Sequence, residues 1–185
     1  GWTSSKDVIL KLCGLLTTKG GTDQIVEYFG EGASSISCTG KATITNMGAE
    51  LGATCSVFPY DQRMADYLRV TSRSELVRLA DANKTLLTAD PEVLQNPEKY
   101  FDRVIEIDLN QLEPYLVGPH SPDVAHPISE MADHAKKNGW PTELSAALVG
   151  SCTNSSYEDI GRASFVARQA LNAGIKMKPS FLVSP

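Results

Sequence analysis

Apolar positions along the chain follow two rhythms, one near 3.6 residues and one of two. Ser4-Ser5 followed by Asp7 marks a helix start. Val8, Ile9, Leu12, Leu15 and Leu16 then recur at helical spacing until Lys19-Gly20-Gly21 stops them. "QIVEYFG" (residues 24–30) is a short β-type run closed by Gly30-Glu31-Gly32, and residues 37–51 return to a helical pattern loosened by Gly40 and Gly48. "ATCSVFPY" reads as a strand ended by Pro59. Two amphipathic helices follow, one carrying Met64, Tyr67 and Leu68, the other Leu76, Leu79 and Ala80 behind a Ser74 cap. Residues 87–99 are polar and hold Pro91 and Pro97, which predicts a loop or a surface insertion. "RVIEIDLNQ" has strand character. The span 113–127 carries Pro114, Pro119, Pro122 and Pro127, and that density predicts an ordered linker. The expected domains are therefore 1–112 and 113–185.

The second of these contains the clearest pattern. Residues 144–149 are expected to form a buried strand of mostly small side chains, and Gly150 allows a sharp turn. Ser155-x-x-Glu158 and Ser156-x-x-Asp159 are overlapping capping boxes. Ile160, Ala163, Val166, Ala167, Ala170 and Leu171 form an apolar stripe, Gly174 suits the position after the helix end, and "PSFLV" supplies another strand. Strand, helix and strand with short connections make a parallel βαβ unit. The expected class is α/β: two layered units with parallel βαβ elements, the second truncated. Cys152 then lies past the carboxyl end of a strand, where open α/β sheets place ligands.

Charge and composition narrow the chemistry. The net charge of −5, with Lys136-Lys137 as the only Lys/Arg doublet, argues against nucleic acid or an anionic membrane as partner. No apolar run approaches the ~18 residues of a membrane span. The start has neither an initiator Met nor a signal-peptide pattern, and "PSFLVSP" reads as a strand cut short, so a piece of a longer protein is expected. Cys13, Cys38, Cys55 and Cys152 are scattered with no C-x-x-C spacing, which fits reduced thiols in a reducing compartment.

From pattern alone, Cys152 has three readings. It is a small packed thiol, or a nucleophile beside a helix start, or a ligand of a metal or cluster. A nucleophile needs a base, and His120, His126 and His134 are the histidines available, none at a telling spacing. One cysteine cannot hold a cluster. The residues alone leave the three readings open.

"GSCTNSSYEDIGR" closely resembles the first cluster-ligand motif of the aconitases (aconitate hydratases), the mitochondrial type in particular. The resemblance extends through "GWTSSKDVILKLCGLLTTKGGT", "IVEYFGEGASSISCTGKATITNMGAELGATCSVFPY", "DVAHPISE" and "GWPTELSAALVGSCTNSS", in order and across nearly the whole chain. It implies the second domain and the beginning of the third. It further implies that Cys152 is one of three cysteine ligands of a [4Fe-4S] cluster, the other two belonging to a C-x-x-C motif beyond Pro185. An iron left open by three thiolates would act as a Lewis acid on citrate, cis-aconitate and isocitrate. Asn46 matches a residue close to the cluster, and Glu50 an active-site glutamate that handles protons at the reacting water or hydroxyl.

The same resemblance leaves Cys38 and Cys55 as packing residues. Lys41, where the family commonly has an apolar side chain, and variation at Thr45 and Cys55 are departures that touch no matched functional position. The implied enzyme is a lyase of the tricarboxylic acid cycle, monomeric at full length. Its expected home is the mitochondrial matrix, or the cytoplasm if bacterial, and this chain alone is expected to be inactive. Rival readings are a sibling hydro-lyase acting on isopropylmalate, homocitrate or methylcitrate, and a cysteine-nucleophile hydrolase. The cytosolic homologue that binds messenger RNA fits the acidic charge poorly.

Overall fold

Asp7 does two jobs at the start of the first helix, α1 (Ser5–Leu16), and so fixes the frame of the surrounding unit. Ser4 and Asp7 form a reciprocal capping box, and Asp7 also receives the backbone N–H of Tyr115 at 2.8 Å. The computed structural model describes residues 3–184. Gly1, Trp2 and Pro185, which belong to the stretches read above as a cut start and a cut strand, lie outside them. The chain divides into two units, one through Ile128 and the other from Ser129.

In the first unit, α1 is buried along most of its surface, since Val8, Ile9, Leu10, Leu12 and Cys13 are all enclosed. It packs on the helix Cys38–Asn46, and Ile44, Met47 and Leu51 complete the core. Strand β1 (Ile25–Glu27) leads through the short α2 (Glu31–Ser35) and α3 (Cys38–Asn46) to β2 (Cys55–Val57). β1 and β2 pair in parallel, with Val26 opposite Ser56, so this is a βαβ element. Gly40 and Gly48 do not end the helical stretch. Ser37 caps α3 by accepting the Gly40 N–H, and the helix tightens into a 3₁₀ turn at Met47–Leu51.

Both amphipathic helices are present, α4 (Gln62–Val70) and α5 (Ser74–Ala82). Asp61 caps α4 through the Met64 N–H, while Arg73 holds the cap position of α5 and Ser74 is its first helical residue. The expected Ser74 cap is thus displaced by one, because the Thr71-Ser72 turn leads almost directly into the next helix. The polar insertion folds into two short helices, α6 (Pro91–Gln95) and α7 (Pro97–Tyr100), each opened by its proline.

Two further expectations for the first unit need correction. "RVIEIDLNQ" forms no strand ladder, although Ile107 and Leu109 pack against the core. The proline-rich span is no linker. It forms an antiparallel hairpin of β3 (Tyr115–Val117) and β4 (Ala125–Pro127) that packs on α1. Proline is tolerated there because Pro119 and Pro122 fall in the loop, while Pro114 and Pro127 sit at the strand margins of a two-stranded sheet. Residues 113–128 accordingly group with the first unit.

The second unit contains α8 (Ile128–Asn138) from its second residue onward, β5 (Ala146–Gly150), α9 (Tyr157–Asn172) and β6 (Ser180–Ser184). β5 and β6 pair in parallel over five residues, Ala146 opposite Ser180 through Gly150 opposite Ser184. α9 ends in a Schellman motif: the Gly174 N–H donates to Leu171 and the Ile175 N–H to Ala170, with Gly174 at φ +73°. The architecture is α/β, as the alternation predicts. The strand expected to be buried is not: Leu148 is 58% exposed, and every position of β6 is open.

Candidate functional site

The turn after β5 is shaped by a close backbone approach. Gly150 has φ +138°, and a Cβ there would collide with the Ser184 carbonyl of β6. Only glycine fits. Ser151 follows at φ +69°, and its N–H donates to that same carbonyl at 3.3 Å. Cys152 is next. Its thiol is exposed, with the Thr153 hydroxyl 3.8 Å from Sγ.

The residues beyond Cys152 are held by one carboxylate. Asp159 Oδ2 accepts from the Ser156 N–H at 3.3 Å and from its hydroxyl at 2.7 Å, while the Asp159 N–H donates back to Ser156 Oγ at 3.2 Å. Its other oxygen accepts from Asn154 Nδ2 at 3.3 Å. Of the two overlapping capping boxes, Ser156 with Asp159 is the one formed. Glu158 instead pairs with Arg162 one turn on, at 2.8 Å. The run Asn154–Asp159 therefore pins the chain on the far side of Cys152, and Gly150 pins the near side.

In the first unit, Asn46 ends α3 and is exposed, and Glu50 lies four residues on, in the 3₁₀ turn. Glu50 is half-buried. Its Oε2 is shielded from solvent and has no hydrogen-bond partner, which is costly for a carboxylate oxygen. Cys13 lies in the core, where burial, aided by the charges of Glu50 and Asp123, pushes its thiol up to about 11. Tyr28 is pushed up to about 12, chiefly by burial.

The remaining cysteines differ in setting. Cys38 opens α3 half-buried, with burial raising its pKa and the Lys41 ammonium opposing the rise. Cys55 opens β2 and is exposed. Asn46 and Glu50 are thus on adjoining elements of one unit, while Cys152 belongs to the other. The reading of the sequence overlooked Tyr28 and Ser56, whose hydroxyls are also shielded: they lie near enough for Ser56 to hold the Tyr28 pKa down against burial, yet neither makes a hydrogen bond of regular geometry. A single hydroxyl in a strand leaves no periodic signal.

Comparison with known proteins bears on all of these positions together. A family model described as the aconitase family (aconitate hydratase) matches residues 1–185. The mitochondrial aconitate hydratase of Gracilaria gracilis is 54% identical over 184 residues, and that of Schizosaccharomyces pombe is 54% identical over 185. A probable mitochondrial aconitate hydratase of Dictyostelium discoideum is 53% identical over 185 residues. Each match covers 100% of this chain and 23% of the relative, so the chain spans about a quarter of the length of those proteins. With every residue inside the match and identity above half throughout, the chain belongs to the aconitase family.

Proposed function

We propose that this chain is the part of an iron–sulfur hydro-lyase that supplies Cys152 as one cluster ligand and Glu50 as a proton-handling group. The whole enzyme then interconverts citrate and isocitrate through cis-aconitate. The single observation that carries the reading is the setting of Cys152: an accessible thiol on a turn clamped by Gly150 and by the Ser156–Asp159 box, inside the matched motif.

The donor set fits that role in part. Cys152 is open to a soft metal, and thiolate is the ligand that iron–sulfur clusters prefer. Cys13 is shut in the core, so it is no candidate ligand. A cluster bound at Cys152 needs further thiolates, which the family supplies from a C-x-x-C motif. When bound, such a cluster offers an open iron that polarises a hydroxyl and a carboxylate.

Glu50 has the properties of a group that moves a proton. Its carboxyl is half-buried with one oxygen withheld from water, so its proton exchange is governed by the site. In dehydration the carbon–hydroxyl bond breaks and Glu50 gives a proton to the departing oxygen, while the proton of the neighbouring carbon goes to a base supplied by the rest of the enzyme and its electron pair forms the double bond. In rehydration it takes one back. Asn46, at the end of α3, offers an amide on the same stretch for holding substrate or cluster. The relatives' names place those enzymes in mitochondria, and the same compartment is proposed here. The proposed full-length enzyme is a monomer.

Replacing the thiol tests the reading. In the full-length enzyme, Cys152→Ser should abolish the visible iron–sulfur absorption and lower bound iron, because a hydroxyl is a poor iron ligand. A serine variant with normal iron and absorption would return Cys152 to an ordinary surface thiol. Loss of activity on alkylation in an enzyme that contains no iron would favour nucleophilic chemistry instead.

A further inference from the structure

Among the described residues that are not exposed, three side-chain polar atoms are shielded from solvent without a hydrogen-bond partner: Tyr28 Oη, Ser56 Oγ and Glu50 Oε2. All three belong to the first unit. Each such atom is costly if nothing satisfies it, so a cluster of them in one place calls for a common explanation.

Topology brings them together. Val26 pairs with Ser56 across β1 and β2, and Tyr28 lies two residues beyond Val26, so Tyr28 and Ser56 share a sheet face. Tyr28 stacks on Phe58 of that same face, with ring centroids 4.5 Å apart and planes within 8°. Ser56 Oγ lies against Gly48, so closely that a Cβ on Gly48 would overlap it. Gly48 and Glu50 share the 3₁₀ turn. Cys13 links the two ends of the group, since its thiol feels the Glu50 charge and Tyr28 in turn feels Cys13. A buried water normally makes about three hydrogen bonds, and these three atoms offer that number.

We infer that Tyr28 and Ser56 are positioning residues for Glu50, their hydroxyls joined to its shielded oxygen by buried water, so that they set the orientation and proton affinity of its carboxyl. The inference rests on the proton-handling role proposed for Glu50. Because Tyr28 stays protonated at any working pH, it is a permanent donor. Donors to a carboxylate favour its ionised form, so deletion of a donor hydroxyl is read in the pH profile of the rate.

The experiment uses the full-length enzyme with Tyr28→Phe, Ser56→Ala and Glu50→Gln, each checked for intact cluster absorption. The two hydroxyl deletions should lower kcat by roughly 3–10-fold, well short of the roughly hundredfold or more expected for a lost general acid–base group, and leave KM nearly unchanged. They should also shift the limb of the rate profile that Glu50→Gln abolishes. In a Glu50→Gln background, Tyr28→Phe should have little further effect on kcat. A purely structural role would lower thermal stability in every background and leave the limb in place, which overturns the inference. If Tyr28→Phe fails to fold, Ser56→Ala reads the same limb. Normal turnover in Glu50→Gln itself would overturn the role of Glu50, and this inference with it. Loss of turnover there, with unshifted limbs in the hydroxyl variants, overturns the positioning role alone.

Discussion

Asp7 and Tyr115 stand 108 positions apart and are joined by one hydrogen bond of 2.8 Å from the Tyr115 backbone to the Asp7 carboxylate. The other carboxylate oxygen accepts from the Ser4 N–H at 2.6 Å and the Ser4 hydroxyl at 3.0 Å. One buried acid thus caps α1 and anchors the hairpin that returns to it. Asp7→Ala should destabilise the chain by about 2–4 kcal/mol, combining a lost cap with a stranded backbone donor. Asp7→Asn, which keeps an acceptor for one partner only, should cost less. Urea denaturation of the three proteins checks the order, and equal midpoints would remove the anchor.

Lys41 and Asp61 form a partly buried ion pair, with side-chain exposures of 4% and 19%, and Asp61 also caps α4. The Lys41 ammonium lies 5.7 Å from the Phe58 ring centroid. The charges lose hydration and regain it through each other, so the two deletions should differ. Lys41→Met leaves a partly exposed Asp61 that still accepts the Met64 N–H and should cost less than Asp61→Ala, which strands a buried ammonium and should cost about 3 kcal/mol or more. Equal losses in the two variants would contradict this account.

The cysteines should separate by reactivity. In the folded 185-residue chain, without a cluster, Cys55 and Cys152 are exposed and should be alkylated, while Cys13 should react only on unfolding. Peptide mapping after iodoacetamide treatment reads this directly. Cys13 ionises at about 11 when folded against 9.0 ordinarily, and Tyr28 at about 12 against 10.0. Raised values mean that the unfolded chain gives up these protons first. Their contribution is intact below pH 9 and is lost as pH rises through 11 and 12. Stability should fall across that window, and Cys13→Ala should flatten its lower part. A slope unchanged in Cys13→Ala would remove the thiol from the account.

Glu50→Gln in the full-length enzyme should lower turnover by roughly a hundredfold or more with the cluster retained, the scale of a lost general acid–base group. Near-normal turnover with normal cluster absorption would take Glu50 out of the chemistry.

Elements whose signals are local were legible in the sequence. The Ser4–Asp7 and Ser156–Asp159 boxes, the Gly174 helix end and the Gly150 turn each state their geometry within a few residues. That was enough to place Cys152 beyond a parallel strand. Features that depend on distant partners were not legible. The hairpin at 115–127 was hidden by prolines whose positions at strand margins only the pairing explains. "RVIEIDLNQ" has the side chains of a strand but no ladder, and ladders are made by neighbours. Exposure of β5 and β6 could not be read from their apolar letters. Asn46 and Glu50 carried no signal of their own and rested on the resemblance.

The five-residue pairing of β5 with β6, in which no residue is buried and all of β6 is exposed, has a consequence for how the molecule exchanges its amide hydrogens. A ladder resists exchange when opening it exposes enclosed apolar surface, and little is enclosed here. The amides of β5 and β6 should therefore exchange by frequent local opening. Those of α1 around Ile9 and Cys13 should exchange only when the whole unit opens. Mass-resolved deuterium uptake would then divide the chain into a slow first helix and a fast terminal ladder. The turn that carries Cys152 would lie on the fast side, next to a strand that gains protection only once its faces are covered.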